Sequence, residues 1–106
     1  MVSRASIEEI SAIIAREFVP ERIILFGSHA YGVPNADSDV DLLVVMPHEG
    51  DSVEKEIEIR RRVRPPFAMD VLVSDPHELR RRVALGDFFL KDITEKGWVL
   101  YESPDP

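Results

Sequence analysis

Two short groups of residues, separated by ten others, have the types and spacing for phosphate and metal chemistry. Gly27 and Ser28 follow the apolar run 22–26 and offer a residue without Cβ, a hydroxyl and adjacent backbone N–H groups, which suit a phosphate. Asp39 and Asp41 open the next apolar run, and alternate residues of a strand project from one face. Two carboxylates placed in this way can each reach one ion of a metal pair. Together the groups predict a site for a metal-bound nucleotide.

Asp70 is the only acid inside the third apolar run, 69–73, and would complete a three-carboxylate cluster if that strand lies beside the second. Oxygen ligands combined with nucleotide phosphates favour Mg²⁺. Each signal has an ordinary structural alternative, since Gly-Ser is often only a turn and acids at strand starts often face water. The continuous apolar run 42–45 indicates a strand buried on both faces, where unpaired carboxylates are costly and favour a bound cation.

The elements that must position these residues alternate between helix and strand. Ser6 and Glu9 fit a capping box that starts a helix ended by Pro20, and Gly27-Ser28 is predicted to enter a short helix. Further helices are expected over about 52–64, 76–85 and 88–97, and strands over 22–26, 39–45, 69–73 and 98–101. This alternation predicts one domain over 1–106 with an α/β (α+β) fold. Residues 103–106 are predicted to form a flexible tail, and the larger aromatic residues are expected in the core: Phe88, Phe89 and Trp98.

The composition is that of an ordinary globular domain, with 106 residues, 44% of them hydrophobic and 31% charged. A net charge of −7 argues against broad affinity for nucleic acid and requires divalent cations between a triphosphate and the acidic residues. The absence of cysteine excludes disulfides and thiolate metal sites. The N-terminus has no signal pattern and no apolar run approaches the roughly 20 residues that span a bilayer, which predicts a soluble cytoplasmic protein.

The pattern GS-x10-D-x-D resembles the signature of DNA polymerase β-like nucleotidyltransferases. The chain length, the stretch FGSHAYGVPNADSDVDLLVV, the later MDVLV and the ending KGWVLYE are similar to the minimal nucleotidyltransferase (MNT) branch, over about residues 6–102. The resemblance implies a nucleotidyltransferase fold, a small mixed β-sheet with helices packed on it. It also implies roles for five residues. Gly27 and Ser28 would bind the triphosphate, and Asp39, Asp41 and Asp70 would hold two Mg²⁺ ions.

The sequence departs from the family pattern at His29 and Tyr31, where many relatives have Arg. Loss of these cations would weaken nucleotide binding or change which groups are contacted, although His29 could still touch phosphate. The family's mechanism implies that Asp70 lies nearest the acceptor and helps remove its proton, while Asp39 and Asp41 bridge the metals.

MNT proteins resemble antitoxins paired with HEPN-domain ribonuclease toxins. The resemblance therefore implies a protein adenylyltransferase that moves AMP from ATP to a toxin tyrosine, working as a hetero-oligomer without direct contact to nucleic acid or membrane. A non-catalytic antitoxin that neutralises its partner by binding alone is the alternative, and an aminoglycoside-type enzyme is disfavoured because the chain has no room for an acceptor domain. The arginine groups at 60–64 and 80–82 form either solvated helix faces or a docking surface for an acidic partner.

Overall fold

A single four-stranded mixed sheet with helices on both faces forms the protein. The structure, a computed structural model, describes residues 2–104. Its elements are, in chain order, α1 (Arg4–Phe18), β1 (Arg22–Phe26), α2 (Ser28–Tyr31), β2 (Val40–Val45), α3 (Ser52–Val63), β3 (Met69–Ser74), α4 (Pro76–Ala84), α5 (Phe88–Lys96) and β4 (Trp98–Glu102). This confirms the predicted mixed α/β fold. No helix within 2–104 is both long and apolar enough to cross a membrane.

The strand order β3-β2-β1-β4 brings three strand ends together. β1 pairs antiparallel with β2 and with β4, whereas β2 and β3 are parallel and are connected through α3. Because of these directions, the C-terminal end of β1 meets the N-terminal ends of β2 and β3 at one end of the sheet. Gly27-Ser28 follows the first of these ends, Asp39 and Asp41 lie at the second, and Asp70 lies at the third.

Both faces of the sheet are buried, which explains the continuous apolar runs of β1 and β2. One face packs on α1 and α3 and receives alternate residues such as Leu25 and Leu42. The other packs on α4 and α5 and receives Phe26 and Leu43. Alternating projection along a strand therefore fills two separate cores, with the helices contributing mainly aliphatic side chains: Ile7, Ile10, Ile14, Ile59 and Val63 to the first, Leu79, Leu90 and Ile93 to the second.

Helix α1 begins one turn earlier than the capping-box pattern predicted. Ser3, not Ser6, is the N-cap: it has an extended backbone (φ −84°, ψ 156°) and its Oγ accepts the backbone N–H of Ser6 at 3.1 Å. Ser6 instead lies within the first helical turn. Ser3 and Ser6 have the same capping chemistry, and Ser3 has the extended backbone and the side-chain hydrogen bond of an N-cap. At the other end Val19 is left-handed (φ 48°), and the helix stops before Pro20 as predicted.

The prediction that three aromatic residues belong to the core is wrong. Phe88 is 82% exposed, Phe89 57% and Trp98 46%. Helix α5 covers the sheet with Leu90 and Ile93, so the two phenylalanines before them remain outside the core. Trp98 starts an edge strand and is partly covered by the guanidinium of Arg4, 3.9 Å from the ring centroid.

The remaining boundaries differ from the predicted ones by a few residues. Strand β2 begins at Val40, so Asp39 lies just before it. In the predicted tail, the Ser103 N–H donates to the Glu21 carbonyl at 2.8 Å. The predicted tail also includes residues 105–106, which lie outside the described residues.

Candidate active site

One row of side chains crosses the site end of the sheet. Phe26 is the register partner of Asp41 on β2, and Asp41 is the register partner of Asp70 on β3. Neighbouring strands lie about 4.8 Å apart, so the two carboxylates project side by side from one face. The predicted carboxylate cluster requires the strand of Asp70 to lie beside that of Asp41, and β3 does pair with β2. The row therefore has an aromatic residue on β1 and an acidic residue on each of β2 and β3.

The three acids influence one another electrostatically. Asp39 and Asp70 are exposed, whereas Asp41 is half-buried between them and the core. Burial raises the pKa of Asp41, and the charges of Asp70 and Asp39 raise it further, while the nearby His29 lowers it. Like charges this close oppose ionisation of the most buried carboxyl, and a bound cation would favour it.

The donor chemistry at this position fits Mg²⁺. Within residues 2–104 no three His, Cys, Asp or Glu side chains are already close enough to form a ready-made ligand set. The candidate ligands are carboxylates, however, and two of them, Asp39 and Asp70, are exposed side chains that can rotate. A divalent cation would also relieve the repulsion that raises the pKa of Asp41. The carboxylates are therefore chemically suited to the ion, and Asp39 and Asp70 would have to turn towards it.

Gly27 is required by the close approach of the β1–α2 turn to Asp41. Its backbone (φ 75°, ψ −157°) occupies a region that is essentially restricted to glycine. A Cβ at this position would overlap the Asp41 carboxylate oxygen Oδ2. The glycine thus lets the main chain pass directly beside the central carboxylate.

The turn after Gly27 presents backbone donors. Helix α2 starts at Ser28, and its first hydrogen bonds run from the N–H groups of Ala30 and Tyr31 to the Gly27 carbonyl, at 3.0 and 3.1 Å. The N–H groups of Ser28 and His29 precede these bonds and have no carbonyl one helical turn before them within α2. With the Ser28 hydroxyl they form a set of donors beside Asp41.

His29 fixes the loop that carries Asp39. Its Nε2–H donates to the Ser38 carbonyl at 3.2 Å. The loop is also closed internally, because the Asn35 N–H donates to Ser38 Oγ at 2.9 Å and the Asp37 N–H donates to Asn35 Oδ1 at 2.8 Å. Sequence reasoning considered His29 only as a contact to phosphate and missed this positioning role. Tyr31, the other departure from the family pattern, is 48% exposed.

A groove of about 360 Å³ opens beside the carboxylates. Its lining comes from five elements: Phe26, Asp41, Glu56, Arg60, Asp70, Val71, Leu72 and Phe89. Sequence reasoning did not connect Glu56, Arg60 or Phe89 with the site. They come from α3 and α5 and reach it only through tertiary packing, so no local pattern could have identified them.

Comparison with known proteins identifies the family and the fold. Residues 7–99 match the family model described as a nucleotidyltransferase domain. The chain belongs to the nucleotidyltransferase domain family. This nucleotidyltransferase domain matches none of the curated proteins.

Two solved structures share the fold of this nucleotidyltransferase. The first, from Sulfolobus solfataricus and assigned as a nucleotidyltransferase, has 21% identity and a TM-score of 0.66, with 95% of this chain and 81% of that chain covered. The second, a toxin–antitoxin structure with AMP-PNP, has 22% identity and a TM-score of 0.56, with 92% and 74% covered. Identities at this level establish a common fold and leave substrate and partner open.

Proposed function

We propose that this nucleotidyltransferase is an MNT-type antitoxin, a Mg²⁺-dependent enzyme that transfers AMP from ATP to a tyrosine hydroxyl of a partner HEPN ribonuclease toxin. The observation that carries the proposal is the pairing of Asp41 with Asp70 directly beside the Gly27 turn. The likeness to a toxin–antitoxin structure with AMP-PNP, an ATP analogue, supports the choice of nucleotide and of a protein partner. The cytoplasm, where ATP and Mg²⁺ are both available, is the compartment that this activity requires.

In this proposal the triphosphate is held at the β1–α2 turn. The N–H groups of Ser28 and His29 and the Ser28 hydroxyl donate to phosphate oxygens. Gly27 has no side chain, so phosphate can approach the backbone and Asp41 together. Asp39, Asp41 and Asp70 would hold two Mg²⁺ ions, which when bound neutralise the triphosphate and the departing pyrophosphate.

Asp70 is the carboxylate farthest from the phosphate-binding turn, since β2 lies between β1 and β3. The acceptor therefore approaches from the β3 side. Asp70 accepts the tyrosine proton, the phenolic oxygen forms a bond to the α-phosphorus, and the bond from that phosphorus to the pyrophosphate oxygen breaks. The products are the AMP-tyrosine ester and pyrophosphate.

The alternative is an antitoxin that neutralises its partner by contact alone, as one half of a hetero-oligomer. Two observations favour it: the described residues contain no ready-made ligand set for a metal, and His29 and Tyr31 replace the usual arginines. The intact row of carboxylates favours the catalytic proposal.

A transfer assay separates the two. The protein is incubated with Mg²⁺, ATP labelled in the α-phosphate and the purified product of the adjacent gene, and added mass is located by mass spectrometry. We expect AMP on a partner tyrosine, no transfer by Asp39→Asn or Asp41→Asn, and normal transfer by Asp37→Asn, a control in the same loop. No added mass, together with tight binding and inhibition of the partner, would establish the contact-only alternative.

A further inference from the structure

Phe89 is an exposed aromatic side chain that lines the candidate active site. It is 57% exposed, and it borders the same groove as Asp41 and Asp70. Its ring lies against Phe26 in an edge-to-face arrangement, with centroids 5.8 Å apart and planes at 87°. This contact orients the ring while much of its surface remains open to solvent.

Exposure alone does not mark a site, as the preceding residue shows. Phe88 is 82% exposed but does not line the groove. Phe89 differs because it lines a groove with both apolar and charged residues: Phe26, Val71 and Leu72; Asp41, Glu56, Arg60 and Asp70. A nucleotide combines the same two characters, a flat base and charged phosphates.

We propose that Phe89 is the platform on which the nucleobase stacks. This inference rests on the proposed nucleotidyltransferase function and names the residue that holds the base. A phenyl ring offers a π-face and no hydrogen-bonding group, so it favours the larger purines over pyrimidines and discriminates little between adenine and guanine. Sequence reasoning found no residue that reads adenine, and a stacking platform needs none.

The position of Phe89 favours the base over the acceptor as its ligand. The ring is held by Phe26, which is followed directly in the chain by Gly27 and Ser28, the proposed phosphate contacts. Phe26 thus links the ring of Phe89 to the strand end that precedes the proposed phosphate-binding turn. Asp70, at the proposed acceptor side, borders the same groove but lies on β3, two strands or about 10 Å from Phe26, the residue that contacts the ring.

Binding measurements test the inference without an acceptor. Titration calorimetry in Mg²⁺ is carried out with ATP, GTP, CTP and inorganic tripolyphosphate, which has no base. We expect Phe89→Ala to weaken ATP and GTP binding by about ten- to a hundredfold and to leave tripolyphosphate binding unchanged. Phe89→Trp should retain ATP binding, and Phe88→Ala is the matched control that should bind every ligand like the wild type.

Three results would overturn the inference: unchanged ATP binding by Phe89→Ala, equal loss of ATP and tripolyphosphate binding, or no ATP binding by the wild type. The first result combined with lost partner binding would instead assign Phe89 to the partner interface. The enzymatic proposal can fail separately. If ATP binding depends on Phe89 but no AMP is transferred to the partner, the stacking role of Phe89 stands and the transfer reaction is refuted.

Discussion

At the scale of single residues, the contact between Gly27 and Asp41 is the feature of the site that most restricts which side chains fit. The glycine backbone lies in a conformation that other residues adopt only with strain, and the space where its Cβ would stand is occupied by a carboxylate oxygen. Backbone geometry and the central acid therefore constrain each other. A change at either position should therefore affect the placement of the other, and with it the proposed approach of phosphate.

We expect Gly27→Ala to cost about 1–3 kcal/mol of folding free energy and to abolish ATP binding, because the new Cβ strains the turn and displaces Asp41. Gly50→Ala is the control: Gly50 also has a positive φ (72°), but nothing lies within 4 Å of its Cβ position. It should lose some stability and bind ATP normally. Chemical denaturation and calorimetry measure the two effects, and normal ATP binding by Gly27→Ala would contradict the proposed phosphate contact.

Asp41→Asn should stabilise the protein in EDTA while preventing transfer. The substitution removes one of three neighbouring negative charges, the one that is also half-buried, and we expect a gain of about 0.5 kcal/mol. Mg²⁺ should raise the melting temperature of the wild type more than that of the variant. Thermal unfolding with and without Mg²⁺ measures both, with Asp37→Asn as the unchanged control. A variant less stable than the wild type in EDTA would show that Asp41 is structural.

At the scale of elements, α3 covers the outer edge of β3. Glu56 Oε2 accepts the backbone N–H of Val73 at 2.9 Å, which satisfies a donor that an edge strand would otherwise leave to solvent. One helical turn later, Arg60 reaches the groove beside Asp70. The helix thus satisfies one donor of the β3 edge and contributes Glu56 and Arg60 to the lining of the groove.

Glu56→Ala should destabilise the fold by about 1.5–3 kcal/mol, the range for hydrogen bonds to charged groups. Glu58→Ala, which removes only the exposed pair with Lys55, should cost less than about 1 kcal/mol. Glu56→Gln keeps an acceptor oxygen and should lie between them. Urea denaturation gives the comparison, and equal losses for Glu56→Ala and Glu58→Ala would mean that the contact with Val73 contributes little.

The elements themselves were largely predictable because their signals are local. Apolar runs bounded by glycine, proline and aspartate located the strands, and Asp51 and Asp75 cap α3 and α4 directly before the predicted helix starts at 52 and 76. The start of α1 was misplaced because Ser3 and Ser6 offer the same capping chemistry one turn apart. The candidate motif was recognisable from spacing alone, whereas the strand order and the position of Phe89 beside Phe26 depend on packing between distant segments.

At the scale of the whole molecule, the net charge of −7 opposes the binding of a polyanion. We expect ATP affinity to fall by at least about tenfold when Mg²⁺ is replaced by EDTA with NaCl at matched ionic strength. The matched salt separates general screening from the specific effect of a divalent cation. Calorimetry provides the measurement, and equal ATP affinity in both buffers would contradict the role proposed for the three carboxylates.

The strand order leaves the two edges of the sheet unequal. Among the described residues, Glu56 occupies one backbone donor of the β3 edge, the Val73 N–H, whereas β4, on the other side, has a strand neighbour only in β1 and carries the exposed Val99. We therefore expect a strand from another molecule to add more readily at β4, three strand positions and about 14 Å from Asp70. An assembly that grows by sheet extension at β4 would leave the groove beside Asp41 and Asp70 open, so polymerisation would not block the candidate active site.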